Sequence, residues 1–197
     1  TPIVLTRITL GDKTGYGEAA LPPYLKETQE SVCTFLALAE PVINSCTEPL
    51  NVDSIMQVVN ALAPGNHAAK ASIDIALHDL YGKLEGEPLW QIWGIDPDAT
   101  PCTSYTIGYD ASDSIVLVKV KEADWAKILK VKLGRGEAED KRMITLIRSL
   151  SDKPIYVDAN QGWPTKEHAL MMCQWLAEQG VVMIEQPMPK HMNEEHA

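Results

Sequence analysis

No run of basic residues occurs anywhere in the 197-residue sequence, and 27 acidic side chains outnumber 17 Lys and Arg for a formal net charge of -10. Such a balance excludes a nucleic-acid or anionic-membrane surface, which leaves small molecules as the expected partners. No stretch reaches the roughly 18 consecutive apolar residues that a membrane helix needs. The opening TPIVLTRITLGDK lacks the basic flank and apolar core of a secretory signal, so a cytoplasmic address is expected. Cysteine is scarce: Cys33, Cys46, Cys102 and Cys173 have no CxxC spacing, and reduced, buried thiols are expected rather than a disulfide scaffold. His67, His78, His168, His191 and His196 form no metal-spaced pair. What is plentiful is apolar residues, 45% of the chain, enough for one or two sizeable cores.

Two patterns of organisation follow one another. Residues 3–10, IVLTRITL, are rich in β-branched types, and the turn glycines of GDKTGYGE lead to a second extended stretch at Tyr16–Ala20, which predicts an antiparallel hairpin. Helical spacing recurs over Glu27–Leu38 and Val52–Leu62, stopped by Pro41 and Pro64. A third helix over Asn66–Leu84 carries Ala68, Ala71, Ile75 and Ala76 on one side and Ala69, Ile73, Leu77, Leu80 and Leu84 on another, which predicts burial between layers. IDPDATP reads as a linker, so the expected domains are 1–98, an α+β unit, and 99–197.

Beyond the linker, strands alternate with helices: strands at 102–107, 127–133, 154–158 and 181–185, helices at 112–122, 137–149 and 165–179. Strict alternation signals parallel βαβ units. Four strands are half of a (β/α)8 barrel, which takes about 250 residues when complete. An open doubly wound sheet is the alternative, although no Gly-rich phosphate loop follows the first strand.

In the strand AKILKVKLG, side chains alternate in direction, so Ile128, Lys130 and Lys132 share one face while Leu129, Val131 and Leu133 share the other. An isolated K-x-K is usually an exposed edge pair. Here the apolar face must pack against helices, which turns both lysines toward the barrel interior. PIYVDANQGW puts Tyr156, Asp158 and Asn160 on one face, and VVMIEQPMP does the same for Val181, Met183 and Glu185, each acid arriving at a strand's C-terminal end. That end of a barrel is where active sites form. Removing a proton next to a carboxylate creates an enolate dianion that needs concentrated positive charge. Hard carboxylate oxygens suit Mg2+, which keeps positions open for substrate. A lysine base must work well below its ordinary ~10.4; a neighbouring cation and a metal favour ~7–8 for Lys132, with Lys130 steadying charge.

These residues resemble the enolase superfamily, in particular its muconate-lactonizing subgroup. K-V-K at 130–132, V-D-A-N at 157–160 and I-E-Q-P at 184–187 fall in order on successive strands, and ASIDIALHDLYGK at 71–83 with G-Y-G-E-A at 15–19 looks like the subgroup's capping domain. The resemblance implies a capping α+β domain followed by the first half of a TIM-type barrel. It implies a Mg2+-dependent isomerase, with Lys132 as base, Lys130 as electrostatic partner, Asp158 and Glu185 as metal ligands and Asn160 close to the metal or the substrate carboxylate. The segment T-S-Y-T-I-G at 103–108 and the loop GEAALPPYLKET at 18–28 look most like dipeptide epimerases acting on Ala-Glu-like dipeptides, which makes Thr106 and Tyr24 substrate contacts. Muconate cycloisomerase, o-succinylbenzoate synthase and N-acylamino-acid racemase share the lysines and acids and stay open. So does a non-catalytic assembly protein in which these charges are buried salt bridges. In the family, a third metal-binding acid, an opposing lysine and an Asp-x-Asp lie on strands five, six and eight. The expectation is a chain truncated at both ends, inactive alone, from an enzyme nearly twice as long; a homo-oligomer is compatible with it.

Overall fold

A computed structural model describes residues 2–192, apart from the side chain of Tyr24. The chain divides into two compact units, Thr1–Thr100 and Pro101–Ala197. His196 lies outside the described residues.

The first unit opens with the hairpin of β1 (Ile3–Leu10) and β2 (Lys13–Ala20), in register from Ile3 opposite Ala20 to Leu10 opposite Lys13. A 3-10 turn at Pro23–Leu25 leads to α1 (Gln29–Asn44), α2 (Val52–Leu62), α3 (His67–Glu85) and the short α4 (Leu89–Ile92). Thr28 and Ser31 close a reciprocal cap at the start of α1, and Asn51 accepts from the Ser54 amide at the start of α2. The amides of His67 and Ala68 donate to the Glu27 carboxylate at 2.7 and 3.0 Å, so α3 is capped from a distant loop. The hairpin lies directly against α3. A Cβ on Gly17 would stand 1.9 Å from the Ser72 carbonyl oxygen, so only glycine admits this approach. Thr6 and Ser72 share a buried hydroxyl hydrogen bond of 2.8 Å at the same contact.

Three expectations are corrected in whole or in part, the last of them across both units. Pro41 does not stop α1; it lies inside a helix that runs to Asn44. Proline removes one backbone bond, and with one turn remaining the apolar packing of Val32, Phe35 and Ala39 carries the element through. Burial of α3 between layers is met in part: the helix packs on the hairpin and on α1 and α2 with Ala68 and Ala76 buried, but Ala71 and Ile75 of the expected face remain exposed. Ser72, Ala76 and Leu80 meet the glycines of the hairpin, Ala69, Ile73 and Leu77 are buried in the same core, and Leu84 is half-buried near the helix end. Lastly, the four cysteines are free thiols as expected, yet Cys33 and Cys102 are exposed: neither joins the apolar cores.

The second unit is one sheet of four parallel strands in the order β3 (Ser104–Ile107), β4 (Ile128–Lys132), β5 (Ile155–Asp158) and β6 (Val181–Glu185). Helices α5 (Asp113–Glu122), α6 (Glu137–Arg148) and α7 (Lys166–Glu178) connect them. The α/β alternation expected from sequence is therefore realised, with β3 and β6 as the sheet edges. Leu129, Val131, Ile155 and Val157 point to the helices and pack with Val116, Met143, Ile144, Ile147, Met172 and Leu176 in a fully buried core. The opposite face of the sheet carries polar residues and stays open, with Thr106 and Met183 exposed.

Candidate active site

The open face owes its chemistry to two aligned rows. Register places Thr106, Lys130, Tyr156 and Met183 side by side across the four strands. One step toward the C-terminal ends, Lys132, Asp158 and Glu185 form the second row. Strand alternation explains why both lysines share this side, since Leu129 and Val131 between them are buried in the core. A register irregularity between Ile155 and Tyr156 brings Met183 rather than Val182 opposite Tyr156, and thereby Glu185 opposite Asp158.

Side chains converge within these rows. Lys132 Nζ donates to Asp158 Oδ2 at 2.5 Å, and Lys130 Nζ stands 3.8 Å from the same oxygen while donating to Glu185 Oε2. Asp158 is 3% exposed, so its charge is held inside the protein. Burial pushes its carboxyl upward, but the Lys132 hydrogen bond, the Asn160 amide and both ammonium charges outweigh that, and the net pKa lies below the ordinary value. Lys130 moves up from 10.5, first because Glu185 accepts its proton in a hydrogen bond, against burial and with help from the charges of Glu185 and Asp158. Each lysine thus faces a carboxylate, which offsets the repulsion expected between the two ammoniums.

Asn160 reaches the site differently from the strand alternation expected of it. β5 ends at Asp158, and Asn160 and Gln161 take left-handed conformations with φ of 49° and 62°. The Asn160 backbone N–H donates to Asp158 Oδ1 at 2.9 Å and its side-chain amide donates to the Asp158 carbonyl at 3.1 Å. This Asx turn, rather than a shared face, keeps it beside the acid. Gln186, directly after Glu185, is also left-handed at φ 47°. Strained backbone at the ends of two neighbouring strands is typical of functional loops. Thr106 sits exposed next to Lys130 on the edge strand. Tyr24 belongs to the 3-10 turn of the first unit, and its side chain lies outside the described residues.

Could these acids hold a divalent ion? Asp158 and Glu185 both come within ionic reach of the single atom Lys130 Nζ, so their oxygens converge on a common space. Hard oxygens in that number suit Mg2+, which is commonly held by one or two carboxylates and fills its shell with water and substrate. Among the described residues no group of three or more His, Cys, Asp or Glu is placed to hold a metal, and two acids converge here.

Residues 1–94 match the model of the mandelate racemase / muconate lactonizing enzyme N-terminal domain, and residues 116–197 match the enolase C-terminal domain-like model. The chain belongs to the mandelate racemase / muconate lactonizing enzyme family. Among its relatives is the L-Ala-D/L-Glu epimerase of Bacteroides thetaiotaomicron, 52% identical over 191 residues that make up 96% of this chain and 49% of that protein. The substrate-liganded L-Ala-D/L-Glu epimerase of Bacillus subtilis superposes with a TM-score of 0.77 at 27% identity, over 98% of this chain and 55% of that one. A dipeptide epimerase of Cytophaga hutchinsonii, solved with Mg and the dipeptide D-Ala-L-Val, gives a TM-score of 0.73 at 25% identity over 98% and 53%. This chain spans about half the length of the relatives it matches. No helix among the described residues is long and apolar enough to cross a membrane.

The structure brings the expected lysines and acids together and adds two residues that the sequence did not single out, Asp140 and Trp163. Both are buried behind the loops that follow β4 and β5, and Trp163 Nε1 donates to Asp140 Oδ2 at 2.9 Å. The available signal was an acid in the first turn of a helix that follows the glycines of LGRG.

Proposed function

We propose that the protein carrying this chain is a Mg2+-dependent dipeptide epimerase that removes the proton α to the carboxylate of Ala-Glu-like dipeptides and returns it on either face. The observation that carries the reading is the aligned row Lys132, Asp158 and Glu185, with Lys130 in ionic reach of both acids. Similarity to the Bacteroides and Bacillus epimerases supports the choice of substrate class.

In this reading Lys132 takes the α-proton, and Lys130 offers fixed positive charge as the substrate carboxylate gains electron density. Asp158 and Glu185 hold the metal, Asn160 orients the substrate carboxylate beside it, and Thr106 and Tyr24 contact the dipeptide. When bound, Mg2+ would supply Lewis acidity that neutralises charge growing on the carboxylate oxygens. The depth of Asp158 and the strained turn that follows it support a role in fixing geometry rather than surface solvation. A cytoplasmic location and a homo-oligomeric state belong to the same proposal.

A second reading has its own support: the lysines and acids already pair as half-buried salt bridges, as a non-catalytic assembly protein would have them. Deuterium wash-in separates the two. With Mg2+ in D2O, both L-Ala-L-Glu and L-Ala-D-Glu should gain deuterium at the C-terminal α-carbon, and Lys132→Ala should abolish this for the one isomer whose α-proton faces Lys132, with the circular dichroism spectrum unchanged. Exchange that survives from both isomers in Lys132→Ala removes Lys132 from its role. Exchange from neither isomer favours the assembly reading, and turnover of other carboxylates alone favours the cycloisomerase, synthase or racemase alternatives.

A further inference from the structure

Asp140 is 1% exposed, yet among the described residues no cation pairs with its carboxylate. Its oxygens instead accept from three N–H donors: Gly134 at 3.0 and 3.1 Å, Arg135 at 3.0 Å and the indole of Trp163 at 2.9 Å. A buried charge without a counterion is retained only where its hydrogen bonds satisfy it. Two of these donors belong to the loop after β4, which begins directly behind Lys132. The third belongs to the loop after β5, which begins directly behind Asp158.

The two loops approach to backbone contact. A Cβ on Gly134 would lie 1.9 Å from the Ala159 carbonyl oxygen, and one on Gly162 would lie 2.3 Å from Gly134 Cα. From there the tie extends to β6. The Leu133 amide donates to the Asp158 carbonyl at 2.9 Å, Ala159 to Glu185 at 3.0 Å, Gln161 to Gln186 at 2.8 Å and Trp163 to Pro187 at 3.1 Å. The three loops that follow Lys132, Asp158 and Glu185, the second of them holding Asn160, are therefore laced together by backbone bonds. Behind the lacing, one carboxylate grips the first loop by its amides and the second by its indole.

Given the roles proposed above for Lys132, Asp158 and Glu185, on which this rests, we propose that Asp140 is a positioning residue. Through Trp163 it sets the spacing between the base and the two metal-binding acids. Asp140 touches none of the reacting groups; its effect passes through the positions of the strand ends. Its isosteric neutral variant, Asp140→Asn, turns an NH2 toward N–H donors that need an acceptor, so the lacing loses its anchor. Trp163→Phe keeps an aromatic ring at the position and deletes the indole donor, leaving a small cavity beside it.

Two measurements on the full protein carrying this chain test this. Amide hydrogen exchange reads Leu133, Ala159, Gln161 and Trp163, none of whose backbone N–H groups bonds to Asp140. All four should exchange faster by about tenfold in Asp140→Asn and by a smaller factor in Trp163→Phe, because a cooperative unit opens together. Mn2+ titration should show affinity weakened by roughly 10–100-fold in Asp140→Asn, the range of outer-shell losses, at an unchanged thermal midpoint of the first unit. Faster exchange confined to Gly134 and Arg135, or full loosening with Mn2+ affinity intact, overturns the proposal. If Asp140→Asn does not fold, Trp163→Phe decides on the same readouts. Failure of the wild-type protein to bind Mn2+ refutes the metal site of the proposed function, and the exchange rates then judge the clamp alone.

Discussion

Replacing Asp158 by Asn removes one negative charge and little else. The Asn160 amide keeps an oxygen to donate to, since it uses Oδ1, while the two ammoniums lose the Oδ2 they share. Lys130 retains Glu185, whereas Lys132 is left without an acid partner among the described residues. A fully desolvated pair broken in this way costs about 3–5 kcal/mol and a surface pair roughly 0.2–1. The Asp158 side chain is 5% exposed but the lysines are 23% and 41% exposed, so water screens one side of the interaction. A loss of about 1–2 kcal/mol at pH 7 is expected for Asp158→Asn, between those limits. Its pH dependence is the sharper test. Because the folded pKa of Asp158 is depressed, its stabilisation is fully present above the ordinary carboxylate value near ~3.9 and drains away as pH falls through the lower folded value. Urea unfolding by circular dichroism should show a constant gap between wild type and Asp158→Asn from about pH 5 to 8, closing below about pH 4. Equal stability at pH 7, or a gap that persists in strong acid, refutes the ion-pair reasoning.

Lys130→Met tests the opposite limb: a raised lysine pKa contributes below the unfolded value and loses that contribution as pH climbs through the folded one. Wild type should lose thermal stability above about pH 10.5 in a step that Lys130→Met lacks, and parallel alkaline profiles would exclude it. Gly134→Ala meets both a φ of 87° and a carbonyl oxygen 1.9 Å from the new Cβ, so a loss of roughly 1–3 kcal/mol in the second unit is expected by calorimetry. Glu27→Ala withdraws both acceptors from the first amides of α3; a loss of about 1 kcal/mol, with faster exchange at His67 and Ala68, is the expected result.

Much of this molecule was decided locally. The alternation of buried Leu129 and Val131 with Lys130 and Lys132 is a property of five consecutive residues, and it states which face the lysines occupy before any partner strand is known. The acids at the ends of β5 and β6 were legible for the same reason, as was the alternation of strands with helices. What lay beyond sequence depends on contacts between distant segments. Pro41 is carried inside α1 because apolar packing outweighs one lost backbone bond, and Ala71 and Ile75 stay exposed although their spacing matches that of their buried neighbours. Asn160 meets Asp158 through a left-handed turn that no alternation rule describes. Asp140, eight positions after Lys132, looks like an ordinary acid in a helix's first turn until the loop containing Trp163 folds against it. Local periodicity determines the direction of a side chain, but strand register and loop contact determine what it meets, and those are settled only when the whole sheet assembles.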